Sequence, residues 1–238
     1  MMIILYMKIR RAHERGHTDI GWLKSWHSFS FGNYYDLSNM GFGALRVIND
    51  DIIAPGTGFG SHGHDNMEIV TIVLKGVVEH KDSMGVSSQI RVGEVQIMSA
   101  GTGVIHSEYN VSRTQPLALF QIWIEPKEYH IEPRYDQRAF DLNIKNIWRP
   151  LVSSFGHDAL HIHQDAAISF AAVEKGRTLE YAPEKIGHGM FFMVIDGSIE
   201  MGDDMLKERD AVEIVSDSPV KILAKTDARV MCIEVPMS

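Results

Sequence analysis

Two short segments carry side chains that could hold one metal ion between them. The segment Gly58-Phe59-Gly60-Ser61-His62-Gly63-His64-Asp65-Asn66-Met67-Glu68 has two histidines at i and i+2. On a strand, residues two apart project from the same face with backbones about 6–7 Å apart. Two imidazoles close that gap around a single ion. The segment Gly101-Thr102-Gly103-Val104-Ile105-His106-Ser107-Glu108-Tyr109-Asn110 repeats the spacing with His106 and Glu108. On neighbouring strands about 4.8 Å apart, the two pairs converge on one point. Three nitrogens and one carboxylate suit Fe(II), Mn(II), Ni(II), Cu(II) or Zn(II). One or two positions stay open for water, substrate or dioxygen, as in a catalytic rather than a structural site. Glu68 competes for the fourth place because it shares the strand parity of His64. In a straight strand it lies about 13 Å away and needs a bend at Asp65-Asn66 to reach the ion. Geometry favours Glu108 and leaves Glu68 to orient a ligand or line the cavity.

Eight of the twelve histidines precede residue 150 and four follow it. His80, in Glu79-His80-Lys81-Asp82 at an expected strand end, reads as a surface residue or as one that orients a ligand. His13, His17 and His27 lie among polar residues near the N-terminus and read as structural or surface groups. His161-Ile162-His163 also has i, i+2 spacing. No glycine-rich approach precedes it, no HxE pair follows, and only His157 and His188 remain as helpers. The later half is therefore expected to hold no metal. The single cysteine, Cys232, rules out an intrachain disulfide framework and a cysteine-cluster site. Nitrogen and oxygen must do the holding.

Strands must position these groups, and strands are what the pattern predicts. Helical periodicity is scarce. Short apolar or alternating runs recur at 43–48, 68–74, 89–97 and 117–124, then at 168–173, 190–195, 211–215, 220–224 and 229–235. Turn residues separate them at Asn49-Asp50-Asp51, Lys75-Gly76, Asp82-Ser83-Met84-Gly85, Val92-Gly93 and Asp196-Gly197. Many short strands at this spacing predict sandwiches or barrels. In each half a strand meets a glycine turn and a returning strand follows, at 70–80 and again at 190–201. The rhythm predicts an internal duplication of one β-barrel, with a boundary near 135–155. The polar stretch 126–146 reads as a connection.

With 238 residues, 45% hydrophobic and 23% charged, the chain is globular and long enough for two domains of about 120 residues. Its formal net charge of −8 argues against a broad nucleic-acid surface. No run approaches the roughly 18–20 apolar residues of a membrane-spanning helix. The opening Met1-Met2-Ile3-Ile4-Leu5-Tyr6-Met7 is short, and its basic residues follow the apolar run. It reads as a buried or paired first strand rather than an export signal, so a cytoplasmic protein is expected.

These residues also carry a family resemblance. Gly56, His62, His64, Glu68 and Gly76, then Gly93, Gly103, His106 and Asn110, resemble the two cupin motifs. Seven residues rather than six separate Glu68 from Gly76. Within the cupins the chain resembles a pirin, nearest to the bacterial pirin-like proteins with quercetin 2,3-dioxygenase activity. The similarity is carried by Ser28-Phe29-Ser30-Phe31-Gly32, by residues 41–51, by Met67-Glu68-Ile69, by residues 80–85 and by His106-Ser107-Glu108-Tyr109-Asn110. It covers nearly the whole chain and is strongest from residue 26 to 125.

The resemblance implies an all-β bicupin of two β-barrel (double-stranded β-helix) domains facing each other. Residues 1–135 would form the metal-binding cupin. Residues 136–238 would form one without a metal site, which could also receive the first strand of the chain. It implies one divalent transition metal ion, Fe(II) first and Mn, Ni, Cu, Zn or Co after it. The implied ligands are His62, His64, His106 and Glu108, with Glu108 also catalytic. The implied activity is that of an oxidoreductase, a dioxygenase that opens the heterocyclic ring of flavonols such as quercetin and releases carbon monoxide. The partners would be a flavonol or other small aromatic molecule and dioxygen, with no direct nucleic-acid or membrane contact. Two linked barrels would mimic a cupin dimer, so a monomer is expected. Phe42, Phe59, Met67 and Met98 are candidates for an apolar mouth. The alternative is a redox-sensitive regulatory or protein-binding pirin, and a cavity open at the metal would favour the enzyme.

Overall fold

A computed structural model describes residues 4–237, so Met1, Met2 and Ile3 of the expected first strand lie outside the described residues. The chain opens with strands β1 (Ile4–Arg10), β2 (Gly16–Asp19), β3 (Leu23–His27) and β4 (Leu45–Ile53). Next come β5 (Gly58–His64), β6 (Glu68–Lys75), β7 (Val77–Asp82) and β8 (Ser87–Arg91). They are followed by β9 (Glu94–Ser99), β10 (Val104–Asn110), β11 (Leu117–Ile124) and β12 (Arg134–Ala139). The later strands begin with β13 (Arg149–Ser153), β14 (Leu160–His161), β15 (Ala167–Val173), β16 (Thr178–Tyr181) and β17 (His188–Asp196). The last are β18 (Ser198–Met201), β19 (Asp204–Lys207), β20 (Ala211–Ser216), β21 (Val220–Ala224) and β22 (Ala228–Pro236). A short 3-10 turn, Ala12–Glu14, is the helical element among the described residues, and no helix is long and apolar enough to cross a membrane.

The chain divides into two compact units. The first is Arg15–Phe140 with Ile162–Gln164; the second takes the chain up to Glu14, Asp141–His161 and the chain from Asp165 on. Each unit has a seven-stranded and a four-stranded sheet. In the first they run β12-β9-β6-β11-β4-β3-β2 and β5-β10-β7-β8. In the second they run β1-β20-β17-β22-β15-β13-β14 and β16-β21-β18-β19. The two orders match except at the edges: β14 runs parallel to β13 where β2 runs antiparallel to β3, and the edge place of β12 is taken in the second unit by β1. That strand pairs antiparallel with β20, from Arg10 opposite Ala211 onward.

Central strands such as β6, β17 and β22 are buried on both faces and read as near-continuous apolar runs. Two turns expected to be hairpins do something else. Gly76 and Gly197, at φ of 84° and 78°, pass the chain from the seven-stranded sheet to the four-stranded one, β6 to β7 and β17 to β18. Left-handed φ permits the corner without a Cβ penalty. A Cβ on Gly197 would also collide with the Asp227 carbonyl oxygen.

The stretch 126–146 is not only a connection. Within it, β12 pairs with β9 from Arg134 opposite Ser99 to Ala139 opposite Glu94. It is an edge strand, half-exposed and polar, so burial did not imprint an apolar pattern on it. This pairing places β12 in the first unit, which runs as far as Phe140. The run 89–97 is two strands, β8 and β9, broken at Val92-Gly93.

Candidate metal centre

Strand β10 alternates strictly. Val104, His106, Glu108 and Asn110 are buried, while Ile105 and Tyr109 are exposed. Period two therefore aims His106 and Glu108 into the first unit together. On one edge β10 pairs antiparallel with β5, His106 opposite His62 and Val104 opposite His64. The register then slips, and Glu108 stands opposite Phe59. One extra residue near Gly60-Ser61 makes this a bulge, which bends β5 beside the histidines. On its other edge β10 pairs with β7, Glu108 opposite His80 and His106 opposite Asp82.

The donor atoms of His62, His64 and His106 all lie within 4.8 Å of one another. Their ring centroids are 4.4 to 4.9 Å apart. Hydrogen bonds select the free nitrogens. His62 Nδ1 donates to the Gly60 carbonyl at 2.7 Å, leaving Nε2 as the lone pair. His80 Nε2 donates to Asp82 Oδ2 at 2.9 Å, so His80 Nδ1 is an acceptor. His106 Nδ1 stands 3.4 Å from it and donates, which leaves His106 Nε2 as a buried lone pair without a hydrogen-bond partner. Asp82 is itself held by the backbone N–H groups of Met84 and Val86. Burial, then the neighbouring histidines, pushes His64 down to about 4 and His106 down to about 3. Both rings are neutral at physiological pH, the form that binds metals. An orphaned imidazole nitrogen among neutral rings fits a borderline transition-metal ion.

Glu108 belongs to a second, overlapping donor group with His106 and His80. Its Oε2 accepts from Gln121 Nε2 at 2.8 Å and its Oε1 from Thr71 Oγ1 at 3.4 Å. Burial, then the nearby Asp51 carboxyl, raises its pKa to about 7. Gln121 and Thr71 are part of a polar row across the seven-stranded sheet. Gln96, Thr71, Gln121, Asn49 and His27 stand opposite one another in register on β9, β6, β11, β4 and β3. Sequence reasoning missed this row apart from His27. Its signal was a single polar residue inside an otherwise apolar strand, as in Glu68-Ile69-Val70-Thr71-Ile72-Val73.

A cavity of about 160 Å³ opens at these groups, walled by His62, His64, Glu108, Gln121, Phe59 and Trp123 among others. Of the four expected mouth residues only Phe59 is a wall. Phe42 and Met98 are buried core, and Met67 packs with Met98 on Ile69 and Val104. Trp123 and Phe31 supply the aromatic surface instead. Trp123 meets His64 edge-on at 4.9 Å and Phe31 at 5.2 Å. His80, half expected at the surface, is fully buried against His106 and Tyr135. His27 is also buried, bonded to Asn49 and Thr18, whereas His13 and His17 are exposed. Glu68 is buried away from the donor groups, accepting from Ser99 Oγ at 2.8 Å.

Among the described residues, neither donor group of three lies in the second unit. His161 is exposed on β14, His157 pairs with Glu184, and His188 Nδ1 bonds Glu234 at 3.0 Å. Glu234 also accepts from the Tyr181 hydroxyl and the Glu184 and Lys185 N–H groups, so its oxygens are fully occupied.

Comparison with known proteins covers both units. Residues 8–124 match the Pirin family, and residues 151–235 match the quercetinase C-terminal cupin domain. A protein of Escherichia coli K12 named quercetin 2,3-dioxygenase is 45% identical over 230 residues, 96% of this chain and 98% of that one. A pirin-like protein of Caulobacter vibrioides is 40% identical over 222 residues, 92% of this chain and 95% of that one. The crystal structure of the bacterial pirin YhhW from Escherichia coli, in complex with nickel(II), superposes with a TM-score of 0.93. It is 43% identical, and the match covers 98% of this chain and all of that one.

Proposed function

Because the chain belongs to the pirin family and has its two-cupin fold, we propose that it is a metal-dependent dioxygenase of flavonols such as quercetin. Ring opening would consume dioxygen and release carbon monoxide. The observation that carries this reading is the convergence of three histidines, with a buried, unpartnered His106 Nε2, at the wall of an open cleft. His62, His64 and His106 would hold the metal. Glu108 is the proposed fourth ligand, favoured over the other cavity carboxylate, Asp51, because it shares a 4.8 Å donor group with His106. Iron is the first candidate, and the nickel complex of a relative supports a site of this type without selecting the ion. The second cupin would carry no metal.

A bound divalent ion would supply Lewis acidity toward a substrate oxygen. Glu108 would take the proton of the substrate's 3-hydroxyl on its carboxylate. Burial in the metal-free site raises its affinity for a proton. Gln121 and Thr71 hold that carboxylate in place through both states. Trp123, Phe31 and Phe59 would clamp the flat ring and keep water out. The open cleft supports catalysis over a purely regulatory metal.

The test is to load the purified chain with single metals and follow flavonol loss, oxygen uptake and carbon monoxide together. The wild type should consume one dioxygen per flavonol, and the His62→Ala/His64→Ala double variant should bind no metal and turn nothing over. Undiminished turnover in the double variant would sink the metal-centred mechanism.

A further inference from the structure

A second cavity of about 170 Å³ adjoins the metal cleft in the first unit. The two share four walls, Phe31, Asn49, Asp51 and Phe59, and the second continues onto Ile20 and Leu23. Cavities for drug-sized ligands run to about 300–1,000 Å³, so the metal cleft alone is short for a three-ring molecule and the pair is not. We propose that the second cavity is the subsite for the pendant ring of the substrate, and that Asp51 and Asn49 bind a phenolic hydroxyl on that ring. This rests on the dioxygenase reading above.

The polar chemistry of the shared wall fits such a group. Asp51 is 3% exposed in the middle of β4, and its Oδ1 has no hydrogen-bond partner. A buried acceptor left without a donor is costly, and native interiors rarely tolerate one unless a ligand or water completes it. Ser25, opposite Asp51 on β3, hydrogen-bonds to the carboxyl but does not reach that oxygen. Asn49 has its Oδ1 engaged by His27 Nδ1 at 2.7 Å, and His27 Nε2 is taken by Thr18 at 2.9 Å. The amide of Asn49 is thereby oriented, with its NH₂ as the remaining donor. The wall thus offers one acceptor and one donor side by side. A phenolic hydroxyl both donates and accepts, and so satisfies the two at once. A carboxylate substituent would face the carboxyls of Asp51 and Glu108. An unsubstituted ring would leave Asp51 Oδ1 as it is. Phe31 and Phe59 give a flat ring its apolar faces.

The test compares two flavonols that differ only in whether the pendant ring carries a hydroxyl. Binding to the metal-loaded full chain is measured without oxygen by calorimetry, and kcat/KM by oxygen uptake. The wild type should favour the hydroxylated ring by at least about tenfold. In Asp51→Ala that ratio should fall to about one, through loss of affinity for the hydroxylated ligand, with metal content by elemental analysis unchanged. If Asp51→Ala fails to fold, Asp51→Asn preserves the volume and should narrow the same ratio. An unchanged ratio in the variants, or no preference in the wild type, overturns the subsite. Wild-type preference in binding without oxygen uptake would defeat the dioxygenase reading and leave the subsite standing. Oxygen uptake with equal kcat/KM for both flavonols would do the reverse, and binding of neither flavonol would defeat both.

Discussion

The two units carry the same strand order around opposite interiors. Aligned on Gly76 and Gly197, Thr71 of the first corresponds to Phe192 of the second. Register then extends the match. Gln96, Thr71, Gln121 and Asn49 form the row in one unit, and Val212, Phe192, Cys232 and Ser169 form it in the other. The facing strands differ in the same way. His80 on β7 corresponds to Met201 on β18, which packs with Phe192, Val212, Val220 and Ile222 in one apolar cluster. The second lumen is filled mainly by an apolar cluster around Phe192. The first keeps polar groups that orient one another and leave a cavity. A β-barrel does not require its centre for stability to be polar, so the difference marks which unit keeps a place for chemistry.

That contrast can be broken from either side. The largest effect is expected at Glu108. Glu108→Gln keeps the shape and removes the proton acceptor, so kcat for metal-loaded protein should fall by about 10²–10⁴-fold in oxygen-uptake assays. A loss below tenfold would reassign the base. Next, Phe192→Ala should cost about 3–5 kcal/mol in denaturant unfolding, because it empties a filled lumen, and it should leave metal stoichiometry alone. Thr71→Val at the matching place should cost less stability and more activity. If both variants behave alike, the two interiors are not specialised as described.

His80 offers a finer probe. His80→Ala removes the acceptor that fixes the His106 tautomer, and metal affinity by competition titration should weaken about 10–100-fold. His80→Gln, which can still bond Asp82 and His106, should recover part of it, and the visible spectrum of the cobalt-loaded protein should shift in step. Equal affinity in all three proteins would leave the chain Asp82–His80–His106 without a role.

The smallest effect is in the pH dependence of metal-free stability, and its sign follows from burial. His64 and His106 titrate at about 4 and about 3 in the folded state, below the ordinary 6.5. The unfolded chain therefore binds their protons first, and stability falls as pH drops from about 6.5 toward those values. Glu108 and Asp51, both raised to about 7, act oppositely. Their contribution is full below the ordinary carboxylate range and is lost as pH rises through about 7. The two trends oppose each other between about 4.5 and 6.5. Urea midpoints in chelator should therefore decline on both sides of that window. Glu108→Gln should flatten the neutral decline and spare the acid one.

Much of this was readable along the chain, and the reasons differ by residue. His62, His64, His106 and Glu108 were legible because strand parity is a local rule and their i, i+2 spacing obeys it. The turns at Gly76 and Gly197 were legible as positions, though not as corners between sheets, since the destination of a strand is a long-range matter. Strand β12 was not legible, because an edge strand needs no apolar face. Asn49-Asp50-Asp51, expected as a turn because three polar residues stand in a row, is the middle of β4, while Thr71 and Gln121 were silent for another reason. A lone polar residue in an apolar strand acquires meaning only through what stands opposite it.

The amino-acid sequence by itself determined the strand-rich class, the duplicated rhythm and the candidate donor residues, because residue type and alternation act within a few residues. Only the tertiary structure decided that His106 keeps Nε2 free, that Glu108 is braced by Gln121 and Thr71, and that Asp51 joins two cavities. Those facts depend on cross-strand register, and register brings together residues tens of positions apart, where no local pattern reaches.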